Sequence, residues 1–167
     1  SSQESYCWGD GALLGSSAPA QNPTPVMLAH AIRYQRVEVG QTDHACGLAD
    51  NGAVHCWGDN SFGQLGDLTL TRSVTPVRTE TMTKFVDLSV GEDLSCAIDT
   101  LGLGHCWGDG PQNAHGSYST QLFPAEIRGG HRWAKISPYD DYACGITVNG
   151  EAYCWGIQSE LRLGSEG

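Results

Sequence analysis

The motif Cys-Trp-Gly occurs four times in this chain of 167 residues, at nearly constant intervals. The copies begin at Cys7, Cys56, Cys106 and Cys154, so the steps between them are 49, 50 and 48 residues. A period of about fifty residues indicates one supersecondary unit that is copied and stacked, because each unit buries its apolar face against a neighbour. The sequence therefore predicts an array of similar units, not one conventional globular core.

Each unit consists of short apolar stretches that alternate with polar residues and end at glycine, proline, asparagine or aspartate. Such runs are typical of β-strands, and the sequence contains no sustained 3.6-residue apolar stripe of helical length. Four short strands per unit at this period are typical of a β-propeller blade. The last strand of a unit is led by proline in three places: Thr24-Pro25-Val26, Thr75-Pro76-Val77 and Phe123-Pro124-Ala125.

Three copies of the motif have a second cysteine ten positions upstream, and glycine follows the midpoint of each pair. A three-residue hairpin loop commonly ends in a left-handed residue, which glycine adopts without steric cost. With that loop the two cysteines lie directly opposite each other, with Cβ atoms about 4.5–5.5 Å apart, close to what a disulfide requires. We predict three disulfides within the hairpins: Cys46–Cys56, Cys96–Cys106 and Cys144–Cys154. Cys7 is expected to be free or joined to a residue outside this chain.

The same register places a small residue opposite each tryptophan of the last three units. The predicted pairs are Ala45 with Trp57, Ser95 with Trp107, and Ala143 with Trp155. A large indole over a small neighbour indicates packing between units, and its recurrence once per repeat argues against a ligand-binding role. Trp133 stands where Phe85 stands in the unit before, so it is also predicted to be a packing residue.

The second unit, from His44 to Val77, carries the most specific run of the chain, Cys56-Trp57-Gly58-Asp59-Asn60-Ser61-Phe62-Gly63-Gln64-Leu65-Gly66. Together with the hairpin before it and Thr75-Pro76-Val77 after it, this run resembles the repeat of the regulator of chromosome condensation family. The third and fourth units are degenerate in the loop, at 110–116 and 157–164. The resemblance implies a propeller, usually seven-bladed, with four-stranded antiparallel blades. The paired cysteines look like those of secreted bacterial and cell-surface members.

The repeats predict an all-β array of about three and a half blades, part of a seven-bladed ring or an incomplete propeller. The predicted boundaries are 1–28 for the second half of a repeat, 29–78 and 79–127 for two repeats, and 128–167 for a repeat lacking its last strand. Three explanations of the missing blades stay open: a piece of a longer polypeptide, an arc covered by a partner, or two copies that complete a ring. The lone Cys7 and the lack of polar terminal caps favour the first.

The charge and the cysteine content of the chain limit which partners and which compartment we expect. There are 19 acidic and 9 basic residues, a net charge of −10, which argues against nucleic acid because phosphate contacts need clustered Lys and Arg. No apolar stretch approaches the roughly 20 residues of a membrane helix. Seven cysteines, six of them in hairpin pairs, indicate an oxidising compartment, so we expect a secreted, periplasmic or cell-surface protein.

Few residues of the sequence suggest a catalytic or metal-binding site. A zinc site needs closer cysteine pairs than these, so we predict neither metal nor cofactor. His55 and His105 share a repeat position that Tyr6 and Tyr153 hold in other units, which indicates a structural role. Two further histidines, His115 and His131, are assigned to the divergent third unit, and the repeat does not explain them. They could line a binding surface or bind a metal, although a solvated loop is the simpler interpretation. There is no Ser-His-Asp order and no credible carboxylate pair, so no enzyme is predicted.

We therefore predict an extracytoplasmic protein-binding or scaffold module without catalytic activity, which contacts its partner through loops 11–22, 109–118 and 139–142. The candidate contact residues are His115, Tyr118, Tyr139, Asp140, Asp141 and Tyr142. The partner is a protein of unknown identity, and the rest of the chain's own propeller or a larger assembly are further candidates. One alternative is a structural subunit of a large surface or membrane-associated assembly, whose neighbours cover its open edges. Guanine-nucleotide exchange is a weaker alternative, because the disulfides and the acidity suit another compartment.

Overall fold

The structure, a computed structural model, describes residues 5–10, 21–28, 32–41, 43–109, 120–140 and 142–156. These residues form thirteen β-strands, and no helix occurs within the same ranges. In chain order the strands are β1 (Tyr6–Asp10), β2 (Gln21–Met27), β3 (Tyr34–Val39), β4 (His44–Ala49), β5 (Val54–Gly58), β6 (Ser73–Arg78), β7 (Phe85–Val90), β8 (Leu94–Asp99), β9 (Gly104–Gly108), β10 (Gln121–Glu126), β11 (Trp133–Pro138), β12 (Tyr142–Thr147) and β13 (Ala152–Gly156).

The strands form four antiparallel sheets in which neighbours in the sheet are also neighbours along the chain. The first sheet pairs β1 with β2, the second contains β3–β6, the third β7–β10, and the fourth β11–β13. The second and third sheets are therefore complete four-stranded units of the kind that the repeat predicts. The boundaries proposed for the repeats at 1–28, 29–78, 79–127 and 128–167 stay a prediction.

The predicted hairpin register is confirmed in the last three sheets. Cys46 pairs with Cys56, Cys96 with Cys106, and Cys144 with Cys154. The glycine that ends each loop is left-handed, with φ of 80° at Gly52, 82° at Gly102 and 85° at Gly150. Because an L-residue with a side chain rarely adopts this conformation, glycine fixes the loop length and hence the alignment of the cysteines.

The glycine of the Cys-Trp-Gly motif has a different role. At Gly58, φ is 105°, and an added Cβ would lie 2.1 Å from the carbonyl oxygen of Asp43. The N–H of Asp59 then donates to that same carbonyl at 2.6 Å. The motif glycine therefore allows the main chain at the end of β5 to pack closely against the turn that precedes β4.

Alternate residues of each hairpin point to opposite faces, as in any strand. We call the side that bears the disulfide the cystine face and the side that bears the motif tryptophan the tryptophan face. The cystine face of the second sheet packs against the tryptophan face of the third, so that Leu48 and Val54 share a buried cluster with Phe85 and Trp107. Similar clusters join Cys7 of the first sheet to Trp57 of the second, and the third sheet to the fourth.

The prediction that the tryptophans pack between units is confirmed. Trp57 and Trp107 have no exposed surface, and Trp155 is partly buried against the cluster of the third sheet. Trp133 is only 4% exposed in the same cluster, as its alignment with Phe85 predicts. Each sheet is therefore stabilised mainly by its neighbours in the array.

Candidate binding surface

The loop between β11 and β12 presents two aromatic rings beside a carboxylate. Tyr139 is 45% exposed, and its ring centroid lies 5.6 Å from that of Tyr142 at an interplanar angle of 45°. The N–H of Tyr139 donates to the carbonyl of Tyr142 at 2.9 Å, which closes the loop. Asp140 is exposed between them. The loop therefore holds an apolar and an acidic contact group together at one position.

The loop lies directly against the corresponding loop of the third sheet. The N–H of Glu92 donates to the carbonyl of Tyr139 at 3.4 Å. A Cβ added at Gly91 would lie 2.6 Å from that carbonyl oxygen, so the approach requires glycine at this position. Two successive units therefore contribute to one continuous surface.

The carboxylates of Glu92 and Asp140 repel each other on this surface. The charge of Asp140 raises the pKa of Glu92, and desolvation and Asp93 add to the effect. We name the group formed by Glu92, Tyr139, Asp140 and Tyr142 the acidic tyrosine rim. A rim with two interacting carboxylates favours a basic partner surface, which would relieve the repulsion.

The structure brings together three of the six residues predicted as contacts, Tyr139, Asp140 and Tyr142. The other three lie outside the described residues: His115, Tyr118 and Asp141. Sequence reasoning missed Glu92. Its signal was the repeat itself, because 91–93 precedes β8 just as 139–141 precedes β12.

A buried polar network joins the second and third sheets, and sequence reasoning did not predict it. The Nε2 atom of His44 lies 3.0 Å from Oγ of Ser95, whose hydroxyl donates to the carbonyl of Gln64 at 3.0 Å. The indole N–H of Trp107 donates to the same carbonyl at 2.9 Å. The network therefore supplies the partner that a buried indole needs and fixes the two sheets in register.

A serine hydrogen-bonded to a histidine can act as a nucleophile, but this pair is placed for packing. Ser95 and His44 have no exposed surface, so a substrate could not reach the hydroxyl. The serine proton is already donated to a main-chain carbonyl. In the equivalent position of His44, the third and fourth units carry Leu94 and Tyr142, which indicates that no chemistry depends on the imidazole.

The burial of His44 predicts a pH dependence of stability. Burial lowers its pKa from 6.5 to about 4, against smaller opposing effects of Asp59 and of the Glu92 main chain. The unfolded chain therefore binds the proton more readily than the folded chain. The contribution of neutral His44 to the free energy of unfolding is complete above about pH 6.5 and is lost as pH falls towards 4. The free energy of unfolding of the unaltered chain should fall between neutral pH and about pH 4. In the His44→Leu variant we expect this fall to be smaller, by up to about 3 kcal/mol.

Urea unfolding of both proteins at several pH values measures this difference. The carboxylates titrate in both proteins, so only the difference between the two pH profiles reports on His44. Leucine is a suitable replacement because the third sheet carries Leu94 at the same position, with no exposed surface. Parallel profiles for the two proteins would contradict the prediction.

The Gly-rich loop after β5 is held by buried amides. The Gln64 amide nitrogen donates to Asp59 at 3.0 Å and to Asp93 of the third sheet at 3.2 Å. Burial alone would raise the pKa of Asp59, but hydrogen bonds from Ser61, from the Asn60 main chain and from Gln64 outweigh it and lower the pKa. Gln64 therefore connects the loop of one unit to the next.

Two other histidines also have structural contacts. His105 lies 3.0 Å from the Asp99 carboxylate within the third sheet. His131, one of the two histidines that the repeat did not explain, lies against Tyr153 with ring centroids 4.4 Å apart and against Trp133 at 5.6 Å. No cluster of three or more metal-binding side chains occurs in the described part of the chain.

The three predicted disulfides are present, with Cα–Cα distances of 4.0, 4.1 and 4.1 Å, and Cys7 is a free thiol. Their surroundings differ. The four cysteines of the second and third sheets have no exposed surface, whereas Cys154 is exposed and Cys144 is half-buried. Burial raises the pKa of the Cys7 thiol, so this group is a poor nucleophile near neutral pH.

These surroundings predict the order of reduction. In dilute protein we expect a mild thiol reductant to open Cys144–Cys154 at least about tenfold faster than the two buried disulfides, because exchange requires access to sulfur. Timed alkylation and peptide mass spectrometry would identify the cysteines released at each stage. Simultaneous release from all three hairpins would contradict this order.

Two sequence models with one description, "Regulator of chromosome condensation (RCC1) repeat", match residues 36–64 and 51–98. Residues 36–98 of the chain are therefore similar to RCC1 repeats. A curated relative with a similar stretch is the ultraviolet-B receptor UVR8 of Arabidopsis thaliana, which is 36% identical over 64 residues. These make up 37% of this chain and 14% of that protein.

Solved structures show a similar fold over almost the whole chain. Prp20p of Saccharomyces cerevisiae superposes with a TM-score of 0.80 and 22% identity over 97% of this chain and 43% of its own. The ectodomain of the Arabidopsis thaliana receptor kinase ACR4 gives 0.54 and 25% identity over 82% and 42%. The chain thus spans less than half the length of each of these three proteins. The all-β fold with four-stranded propeller blades is confirmed.

Within the described residues, no helix has the length and the apolar character that a membrane span requires.

Proposed function

We propose that this chain is an extracytoplasmic binding module without catalytic activity, and that the acidic tyrosine rim contacts a protein partner. The observation that carries the proposal is the rim itself, where two tyrosine rings and two carboxylates from adjacent sheets lie together. Tyr139 and Asp140 are exposed, and Tyr142 and Glu92 are partly buried. Tyrosine supplies a large contact area at a small entropic cost, and it is enriched at protein interfaces. The carboxylates add orientation and partner selection.

The compartment is supported by two independent observations. Three disulfides lie within three successive hairpins, and disulfides persist mainly in oxidising environments. One of the similar structures is a receptor-kinase ectodomain. Both favour a secreted, periplasmic or cell-surface location.

The kind of partner is supported by charge and by a protein of similar fold. Prp20p of Saccharomyces cerevisiae binds Gsp1p and histones, so a propeller of this fold can serve as a platform on which proteins dock. In this chain the net charge of −10 and the repulsion between Glu92 and Asp140 favour a partner with basic side chains. The buried serine and histidine are placed for packing, which is consistent with binding without catalysis.

The proposal is tested by comparing what the chain and its rim variant retain from the extracytoplasmic fraction of the native source. We expect the double variant Tyr139→Ser, Asp140→Asn to lose at least about tenfold in affinity for the protein that the unaltered chain binds, a loss typical of central interface residues. Binding of the unaltered chain should also weaken as salt is raised.

Leu101→Ser is the matched control. Leu101 is 60% exposed in the turn between β8 and β9, away from the rim. Equal binding by the rim variant and by the unaltered chain would refute the assignment of the rim. Turnover of a substrate by the purified chain would refute the absence of catalysis.

A further inference from the structure

The dipeptide Asn-Gly occurs twice in the chain, as Asn51-Gly52 and as Asn149-Gly150. Both copies lie in three-residue hairpin loops, the first between β4 and β5 and the second between β12 and β13. The main chains of the two loops are matched, because φ of the glycine is 80° in the first and 85° in the second. In both loops the glycine N–H donates at 2.9 Å to the carbonyl of the residue that ends the preceding strand.

The two asparagine side chains differ in their hydrogen bonds. In the second sheet, Oδ1 of Asn51 accepts from the N–H of Ala53 at 2.9 Å. In the fourth sheet the equivalent N–H, that of Glu151, donates to Oγ1 of Thr147 at 3.1 Å. Among the described residues, none forms a hydrogen bond with the side chain of Asn149.

The residue that ends the preceding strand explains this difference. Thr147 and its equivalent Asp99 each have a side-chain oxygen that accepts the N–H at the end of the loop, and for Asp99 the donor is Leu103 at 2.9 Å. The equivalent Ala49 has no such oxygen. In that loop the asparagine itself accepts the N–H, as short polar side chains commonly do in turns.

We propose that Asn149 is a site of spontaneous deamidation, and that its hydrogen bond protects Asn51 from the same reaction. The main-chain nitrogen of Gly150 attacks Cγ of Asn149 and gives up its proton to solvent. A bond forms between these two atoms, the bond from Cγ to the amide nitrogen breaks, and ammonia leaves with a proton taken from solvent. Water then opens the cyclic imide to give aspartate or isoaspartate. Glycine favours the attack because it has no side chain to hinder ring closure.

The attack requires the asparagine side chain to rotate until Cγ meets the following nitrogen. The bond to Ala53 holds Asn51 away from that position, whereas Asn149 can rotate. Water also reaches the centre of these loops. Asn149 is exposed, and so are the equivalent Asn51 and Leu101, although another sheet follows each of them. Exposure at this position is therefore a property of the hairpin and does not depend on a neighbouring sheet.

The reaction changes the hairpin in two ways. Either product adds a negative charge beside Glu151, and isoaspartate also lengthens the main chain of the loop that aligns Cys144 with Cys154. The modification is independent of the acidic tyrosine rim and of the function proposed for it.

The test is to age the disulfide-bonded chain in mildly alkaline buffer and to follow both asparagines by peptide mapping and mass spectrometry. We expect Asn149 to convert at least about fivefold faster than Asn51, the factor that corresponds to one typical hydrogen bond. In the reduced chain in urea the two sites should convert at similar rates, because both are Asn-Gly and the loops are lost. Equal rates in the folded chain, or faster conversion of Asn51, would overturn the proposal.

The variant Thr147→Ala isolates the hydrogen bond, because the surroundings of Gly150 stay the same. The N–H of Glu151 then loses its acceptor, and Asn149 should take it as Asn51 does beside Ala49. We expect conversion of Asn149 to slow at least about threefold, while Asn51 in the same molecule keeps its rate and serves as the control. Far-ultraviolet circular dichroism checks that the variant is folded. An unchanged rate at Asn149 in the folded variant would refute the protective role of the hydrogen bond.

Discussion

Replacing Trp107 with alanine is expected to lower the free energy of unfolding by about 3–5 kcal/mol, the usual cost of removing a large buried aromatic side chain. Trp107 has no exposed surface and lies in the cluster that joins the second and third sheets. Its N–H also donates to the Gln64 carbonyl at 2.9 Å. The substitution therefore removes packing and a hydrogen bond at the centre of the described array.

Urea unfolding measures this loss, and Trp155→Ala is the control at the same repeat position. Trp155 is only partly buried, against the cluster that joins the third and fourth sheets. Its replacement should cost less than that of Trp107. Trp107→Phe should recover most of the loss and leave a deficit of about 1 kcal/mol for the missing hydrogen bond. Equal losses for Trp107→Ala and Trp155→Ala would show that position in the array does not determine the contribution.

The hairpins could be predicted from the sequence because each depends on local rules. The ten-residue spacing and the loop glycine determine the register between them, and the register determines which cysteines meet and which small residue faces each tryptophan. These rules act within one hairpin. They do not require knowledge of how the units sit on one another.

The buried polar network could not be predicted, because its partners come from different units. Gln64 and Asn60 are in a Gly-rich loop, where polar residues are usually solvated, yet neither has exposed surface. The Asn60 amide donates to the carbonyls of Thr69 and Thr71, and its oxygen accepts from Leu65. Gln64, in contrast, also donates to Asp93 of the third sheet at 3.2 Å, so its burial depends on the neighbouring unit.

The arrangement of the candidate binding surface could be predicted only in part, for the same reason. Tyr139 and Asp140 lie in one short loop and Tyr142 begins the next strand, so their proximity follows from the sequence. Glu92 joins them only because successive sheets place equivalent loops side by side. The interaction between Glu92 and Asp140 is a property of the stack, and the spacing within a single unit does not contain it.

Replacing both Cys46 and Cys56 with alanine is expected to destabilise the chain more than the same change at Cys144 and Cys154. Both disulfides join residues ten positions apart, so the chain-entropy contribution of each is about the same, roughly 2–3 kcal/mol. The sulfur atoms of the second sheet are fully buried against the third sheet, whereas Cys154 is exposed. The buried pair should therefore cost on the order of 1–2 kcal/mol more, for packing alone.

The comparison is made by urea unfolding of the two double variants under oxidising conditions. The shared loop length makes the second variant a control for the cross-link itself, so the difference between them measures the contribution of the interface. If the exposed pair proved as costly as the buried pair, the disulfides would act only through the unfolded chain. If the buried pair cost more, as we expect, each disulfide would also be a core side chain of the stacked array, and its position between two sheets would determine its contribution.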